Sequence, residues 1–217
     1  MLTAYNHIIS PLTAPWCGWT MLVLLLLAVL SECIQRGVIT QTLTSLTVHS
    51  ERTYKDAPTN TLAQLFITLF RFGTFAMAIC LCFATEGFSF AAYAAVLGII
   101  IGVMLLKMLC NRLLDYTFQI TRLFGDANEH YANILTLASV VMYVLLLIFL
   151  HIDSEPAYRW MVGSVAGLFF LLWLYRSARQ FVRSPMAVLY LLLYMATLEL
   201  LPMAGITVLS AKTIAII

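Results

Sequence analysis

Residues 186–209 read MAVLYLLLYMATLELLPMAGITVL, an apolar run that contains a single charged residue, Glu199. At a rise of 1.5 Å per residue, about 24 residues are enough for a helix to cross the roughly 30 Å hydrocarbon layer of a bilayer. Apolar runs of this length and low charge are typical of transmembrane helices. The stretch therefore predicts a membrane span.

The composition of the chain agrees with a membrane protein. Hydrophobic residues make up 62% and charged residues 10% of the sequence, against about 45–50% and 25% in soluble domains. The apolar residues are concentrated in long runs, which predicts one all-α integral membrane domain over residues 1–217, a polytopic transmembrane helical bundle of about six spans. We place the spans at about residues 16–35, 62–84, 90–110, 132–151, 158–175 and 186–209.

Helix-start signals accompany two of these spans. Residues Thr61–Gln64 form a capping box that predicts the start of the second span, and Asp126–Glu129 form an Asp version that predicts the start of the fourth. Between the third and fourth spans, polar and charged residues recur three and four positions apart, while apolar residues fill another face. This pattern predicts an amphipathic cytoplasmic helix at about 111–124, which either lies in the membrane interface or prolongs the third span.

The distribution of cations predicts the orientation in the membrane. The first, third and fifth loops with their flanks carry most of the Lys and Arg residues, namely Arg36, Arg52, Lys55, Lys107, Arg112, Arg122, Arg176, Arg179 and Arg183. The opposite side carries Arg159 and Lys212. We therefore expect loops 1, 3 and 5 to be cytoplasmic and both termini to be periplasmic.

Two charges are predicted to lie inside the membrane, Arg71 in the second span and Glu199 in the sixth. Because an unpaired ion is costly at that depth, we hypothesise that they form an interhelical ion pair. The pair could serve only to hold two helices together, or Glu199 could take up protons or bind a substrate. Alternatively, Arg71 could extend towards the interface instead. Pro202 lacks an amide hydrogen and frees the carbonyl of Leu198, which predicts a helix kink beside Glu199.

Two spans contain glycines four residues apart, Gly98 with Gly102 and Gly163 with Gly167. This spacing lets the backbones of neighbouring helices approach closely. We expect both pairs to serve helix packing, within one chain rather than along a homodimer interface.

Several classes of function find no support in the sequence. The formal net charge of +2 is too small to indicate a nucleic-acid partner. Cys80 and Cys82 are two residues apart and point to different sides of a helix, so no metal site is predicted. No phosphate-binding loop, nucleophile elbow or zinc-protease helix occurs, so we expect no cofactor, and the sequence does not favour an enzyme.

Residues 190–202 read YLLLYMATLELLP. This motif resembles the closing signature Tyr-Leu-x-Leu-Tyr-x-x-Thr-Leu-Glu-Ile-Leu-Pro of the bacterial integral membrane family known as domain-of-unknown-function family 4271, of the Bacteroidota type. The matching positions are Tyr190, Tyr194, Thr197, Leu198, Glu199, Leu201 and Pro202. The resemblance implies an inner-membrane location in an envelope with two membranes, and the family brings no established activity.

The sequence is most consistent with a non-enzymatic accessory or scaffold subunit of a bacterial inner-membrane assembly. The expected partners are the lipid bilayer and other membrane-protein subunits. The alternative is a small proton-coupled transporter or channel in which Glu199 exchanges a proton beside Pro202. An intramembrane enzyme acting on a lipid would require a reaction centred on Arg71 and Glu199.

Overall fold

The structure, a computed structural model, describes residues 15–37, 60–83, 89–118, 121–149, 155–181 and 201–216. Within these residues it contains six α-helices and no strand, which confirms the all-α helical bundle. The helices are α1 (Pro15–Ile34), α2 (Thr61–Phe83), α3 (Phe90–Phe118), α4 (Thr121–Phe149), α5 (Glu155–Phe181) and α6 (Leu201–Ile216).

Four of these helices are long and apolar enough to cross a membrane. Their apolar segments are Trp16–Ile34, Thr61–Phe83, Phe90–Leu113 and Tyr131–Ile148, so the chain is a membrane-embedded protein. Within the described residues, the apolar segments of the other two helices are Tyr158–Leu172 in α5 and Ala204–Ile214 in α6. The predicted sixth span begins in residues 186–200, which lie outside the described part of the chain.

The region between the third and fourth spans agrees with one prediction and differs from another. Helix α3 continues without a break to Phe118, so residues 111–118 prolong the third span, which is one of the two predicted alternatives. Helix α4 begins at Thr121, and the predicted cap at Asp126 is therefore wrong. A capping-box pattern starts a helix only where the preceding backbone is not helical, and here residues 121–125 are already helical.

The start of α2 also differs by one residue. The side-chain oxygen Oδ1 of Asn60 accepts a hydrogen bond from the main-chain amide of Leu62 at 3.1 Å. Asn60 therefore caps the helix, and Thr61 is its first residue instead of its cap.

Helix α2 lies at the centre of the described bundle. Its apolar segment is 56% buried, against 22–39% for the other three long segments, and it contacts each of the other five helices. Many of its buried residues are small, including Ala63, Gly73, Thr74, Ala76, Ala78 and Cys80. Small side chains let several neighbouring backbones approach one helix, which explains why this helix takes the central place.

Helices α1 and α2 pack antiparallel. The Ser31 hydroxyl, near the end of α1, donates to the main-chain carbonyl of Ala63 near the start of α2 at 3.0 Å. Further along, a Cβ atom added to Gly73 would overlap the Leu24 side chain and lie 3.2 Å from the Tyr93 hydroxyl. We call the end of the bundle where α1 and α3 end and α2 and α4 begin the Ser31 end.

Three buried tyrosine hydroxyls join neighbouring helices by donating to main-chain carbonyls. Tyr143 of α4 donates to Met21 of α1 at 2.9 Å, and Tyr158 of α5 donates to Ala78 of α2 at 3.3 Å. Tyr93 of α3 makes a longer contact of 3.5 Å with the carbonyl of Gly73. A buried hydroxyl without a partner is costly, so these bonds favour one arrangement of the helices over others.

Large apolar side chains cover the outside of the bundle. Trp19 and Leu22 of α1 are 69% and 53% exposed, and Leu105 and Leu106 of α3 are 61% and 60% exposed. In water such surfaces would be an aggregation hazard, whereas in a bilayer they contact lipid tails. The polar residues buried inside the bundle are therefore the candidates for a functional site.

Candidate functional site

The most unusual buried group is the guanidinium of Arg71, in the middle of α2. The residue is 7% exposed. Its Nη1 atom donates to the main-chain carbonyl of Ala132 in α4 at 3.1 Å, and its Nη2 atom donates to the Thr68 hydroxyl at 2.6 Å. Because helical side chains point back towards the helix N-terminus, the guanidinium lies nearer the Ser31 end than its own Cα atom does.

The hydrogen bonds of Arg71 only partly offset the burial of its charge. Both acceptors are uncharged, and the Nε atom is buried without a hydrogen-bond partner. A hydrogen bond from a charged donor contributes about 1.5–3 kcal/mol, whereas removing an ion from water costs several kcal/mol. An anion close to the guanidinium would offset the remaining free-energy cost of burying the charge.

A second cation, Lys107 of α3, is buried at the same end of the bundle. It is 8% exposed, and its Nζ atom lies 3.8 Å from the centroid of the Tyr131 ring in α4. A contact of this kind contributes about 0.5–2 kcal/mol. The ammonium group of Lys107 is thus directed to α4.

The two cations meet at consecutive residues of α4, since Lys107 contacts Tyr131 and Arg71 contacts Ala132. We call Thr68, Arg71, Lys107, Tyr131 and Ala132 the cation layer. Tyr131 follows Glu129 and His130 in the sequence and precedes the long apolar run of α4, so the layer lies where that helix changes from polar to apolar sequence. Thr68 and Tyr131 are partly exposed, so the layer is not fully closed off from its surroundings.

The remaining contacts of the layer fix its geometry. The Thr68 hydroxyl donates to the carbonyl of Gln64 at 2.7 Å, which leaves its oxygen directed to Arg71. The Thr136 hydroxyl donates to the same Ala132 carbonyl that accepts from Arg71, at 2.8 Å. One turn after Lys107, the buried Oδ1 atom of Asn111 has no hydrogen-bond partner. Unpartnered polar atoms are therefore found on both α2 and α3.

Only one residue of the predicted intramembrane pair lies in the described part of the chain. Arg71 is buried as expected, but Glu199 lies outside the described residues, so the pairing remains a prediction. The alternative, extension of Arg71 towards the interface, also remains a prediction. Pro202 lies in α6, which the structure describes from Leu201 onward, so the predicted kink beside Glu199 also remains a prediction.

The four predicted packing glycines are exposed in the described part of the chain. A Cβ atom added to Gly98, Gly102, Gly163 or Gly167 would meet no atom within 4 Å. Their predicted partners inside the chain are thus not found among the described residues, and their role in helix packing stays a prediction. The closely packed glycine is Gly73 instead, which the spacing rule did not single out.

Among the described residues, no group of three or more His, Cys, Asp and Glu side chains is placed to hold a metal ion. The five cysteines are free thiols. Cys80 is buried and Cys82 is partly buried on the central helix, where both act as small apolar residues.

Residues 18–208 match the sequence profile of a family described as a domain of unknown function, family 4271. The chain belongs to domain-of-unknown-function family 4271. The match to family 4271 covers α2 to α5 completely and α1 from Gly18 onward. It includes the cation layer, Glu199 and Pro202. No curated protein and no solved structure matches the chain.

Sequence reasoning missed Lys107 and Tyr131 as members of the site of this family 4271 protein. Lys107 was counted with the loop cations that set orientation, although it stands within the apolar segment Phe90–Leu113. The available signal was the position of this lysine among apolar residues, namely Leu105, Leu106, Met108 and Leu109. A charge inside an apolar run is costly in a membrane unless other parts of the protein give it polar contacts.

Proposed function

We propose that the chain is a non-enzymatic accessory or scaffold subunit of a bacterial inner-membrane assembly. The observation that carries the proposal is the exposure of two small-residue faces, Gly98 with Gly102 on α3 and Gly163 with Gly167 on α5. Among the described residues, nothing lies within 4 Å of a Cβ atom added at any of the four glycines, which leaves room for an approaching helix. Small residues on an outer face let a second membrane helix pack closely.

The orientation belongs to the same proposal. The excess of Lys and Arg in loops 1, 3 and 5 supports a cytoplasmic position for these loops and a periplasmic position for both termini. The Ser31 end would then face the cytoplasm. The sequence resemblance described above supports a bacterial source and the inner membrane.

Co-purification tests the accessory role. The tagged chain is extracted from its native membrane in mild detergent, and the proteins bound to it are compared between wild type and a Gly98→Leu, Gly102→Leu double variant. We expect a membrane protein to co-purify in a fixed ratio with wild type and to be lost from the double variant. The matched control is Gly18→Leu, at an exposed glycine of α1 that also has no atom within 4 Å, and it should retain the partner.

Thermal unfolding of the same variants separates the two uses of the glycines. If Gly98 and Gly102 pack against another subunit, the purified double variant should unfold at the same temperature as wild type. If they pack within the chain, against residues outside the described part, the double variant should unfold at a lower temperature. The second result, together with a chain that purifies alone, would count against the accessory role.

The buried charge of Arg71 favours a second candidate, the small proton-coupled transporter or channel using Glu199. In this case a proton would move on and off the Glu199 carboxylate near a fixed positive charge. Glu199→Gln would then abolish proton flux in proteoliposomes while leaving folding and abundance unchanged. Reduced abundance or altered assembly of Glu199→Gln, with no flux in wild type, would instead support the accessory role.

A further inference from the structure

We propose that four buried sulfur side chains between α1 and α2 form a binding site for the soft monovalent metal ion Cu(I). We call these residues the sulfur cluster, and its members are Cys17, Met21, Met77 and Cys80. The observation behind the proposal is the register of the two antiparallel helices, which brings the two sulfur residues of each helix to the same level of the bundle. The proposal is independent of the accessory role, because a bound metal ion is compatible with a subunit that works alone or in a complex.

The register of α1 and α2 follows from one close contact. The Leu24 side chain of α1 occupies the space that a Cβ atom of Gly73 in α2 would need. Cys17 lies seven residues before Leu24, and Cys80 lies seven residues after Gly73. Seven residues are nearly two helical turns, about 10.5 Å along the axis, and in antiparallel helices these two steps lead in the same direction. Cys17 and Cys80 therefore reach the same level, on the faces by which α1 and α2 meet.

The two methionines lie on the same helix faces as the two cysteines. Met21 comes four residues after Cys17, and Met77 comes three residues before Cys80 and four after Gly73. Side chains three or four positions apart share a helix face. Among the described residues α1 packs mainly against α2, so the buried face of α1 is the one that meets α2. All four sulfur residues belong to one core and are at most 4% exposed.

The hydroxyl of Tyr158 gives separate support for the proximity of the two thiols. It donates to the carbonyl of Ala78, two residues before Cys80, at 3.3 Å. It also interacts electrostatically with the thiols of Cys17 and Cys80, so it is close to both. The thiol of Cys82 interacts with the same hydroxyl, but two residues along a helix it points to another side than Cys80 does. The partner of Cys80 in the sulfur cluster is therefore Cys17, which is distant in the sequence.

The chemistry of the side chains selects the ion. Thiolate and thioether sulfurs are the ligands that Cu(I) prefers. Zn(II) takes thiolate together with imidazole or carboxylate ligands, and the described part of the chain groups no three His, Cys, Asp or Glu side chains for a metal ion. Calcium and magnesium require oxygen ligands. Two cysteines with two methionines therefore favour Cu(I) over these divalent ions.

The charge of the bound ion is balanced by the loss of one proton. When Cu(I) binds, a Cu–S bond replaces the S–H bond of one cluster thiol, and the proton passes to the solvent. The single negative charge of this thiolate cancels the charge of Cu(I), and the other sulfur atoms contribute neutral lone pairs. No oxidant or reductant is consumed, and no net charge is left in the low-dielectric interior. Without the ion, the same side chains pack as apolar residues, so the cluster needs no polar partner when it is empty.

The test measures Cu(I) binding to the purified full-length protein in detergent, without oxygen and with ascorbate as the reductant. Competition with a chromogenic Cu(I) chelator gives the affinity, and X-ray absorption identifies the ligand atoms. We expect a single Cu(I) ion per chain, coordinated by sulfur alone, and weaker binding of Zn(II). Coordination by nitrogen or oxygen, or binding of Zn(II) as tight as that of Cu(I), would overturn the proposal. These measurements on wild type need no substitution, so they decide the question even if a variant does not fold.

Cysteine variants localise the ion. Cys17→Ser and Cys80→Ser should each weaken Cu(I) binding by more than the roughly ten-fold that is lost when a hydrogen-bond partner of a metal ligand is removed. The matched control is Cys33→Ser, because Cys33 is an exposed thiol on α1, and it should bind Cu(I) as wild type does. A loss in Cys33→Ser as large as in Cys17→Ser and Cys80→Ser would show adventitious binding to thiols in general and contradict the site.

Methionine variants test the part of the proposal that distinguishes Cu(I) from other thiol-binding ions. Met21→Leu and Met77→Leu keep the side-chain size and the apolar packing but remove the thioether sulfur, so each should weaken Cu(I) binding. Met108→Leu is the matched control, since Met108 is 50% exposed on α3, and its Cu(I) affinity should equal that of wild type. Wild-type affinity in both Met21→Leu and Met77→Leu would overturn the four-sulfur site.

Discussion

The Nη1 atom of Arg71 donates a hydrogen bond of 3.1 Å to the main-chain carbonyl of Ala132, 61 residues further along the chain. The bond joins the central helix α2 to α4 and holds a charged group between them. Together with the contact of Lys107 on Tyr131, it places two charged groups inside the bundle near the Ser31 end. The following predictions test the contacts of this arrangement.

Arg71→Lys should destabilise the protein because a lysine ammonium group does not present the planar fork that reaches Ala132 and Thr68 together. The loss of one hydrogen bond from a charged donor corresponds to about 1.5–3 kcal/mol. We expect a lower unfolding temperature in detergent, measured by circular dichroism. Arg112→Lys, at an exposed position of α3, is the control. Unfolding of Arg71→Lys at the wild-type temperature would show that the fork geometry is unimportant.

Gly73→Val should destabilise the contact of α1, α2 and α3. The added side chain would overlap Leu24 and crowd the Tyr93 hydroxyl, and overpacking of this kind costs about 1–3 kcal/mol. Gly18→Val is the matched control, because Gly18 of α1 has no atom within 4 Å of an added Cβ atom. Equal unfolding temperatures for the two variants would contradict the close approach of Leu24 to Gly73.

Tyr143→Phe should remove the hydrogen bond of 2.9 Å to the carbonyl of Met21, which joins α4 to α1. The expected loss of stability is about 1 kcal/mol, because the ring and its packing against Phe70 are kept. Tyr116→Phe serves as the control, since Tyr116 is 88% exposed. A loss of stability in Tyr116→Phe as large as that in Tyr143→Phe would contradict the structure.

The proposed ion pair of Arg71 with Glu199 is tested by exchanging the two charges. Arg71→Glu and Glu199→Arg should each lower the yield of folded protein, since each leaves two like charges near one another in a low dielectric. The double variant should recover part of the yield if the two side chains are in contact. Folded yield is measured by size-exclusion chromatography in detergent. A double variant that folds no better than either single variant contradicts the pair.

Hydropathy was sufficient to predict the fold class. Four of the apolar runs are found in helices long and apolar enough to cross a membrane. One error arose where a local sequence pattern was taken for a helix start, since the Asp126 capping pattern lies inside a longer helix. The amphipathic stretch at 111–118 continues α3, which is one of the two predicted alternatives.

The centre of the bundle and the cation layer were less accessible to sequence reasoning. All apolar runs look alike in hydropathy, so the central place of α2 follows only from contacts made by its small residues. Charge counting treats a lysine near a span end as a loop cation, and the burial of Lys107 depends on Tyr131, 24 residues away in the next helix. Arg71 was found because it stands alone within its apolar run.

The measurement that tests the accessory role most directly is site-specific photo-crosslinking in intact cells. A photoreactive residue replaces Ala94, which is exposed on α3 one turn before Gly98, and a second strain carries it at Leu22, exposed on α1. We predict a product of defined higher mass from position 94 that contains another membrane protein, and none from position 22. A folded chain that crosslinks from position 94 only to lipid or to itself would contradict the proposed role.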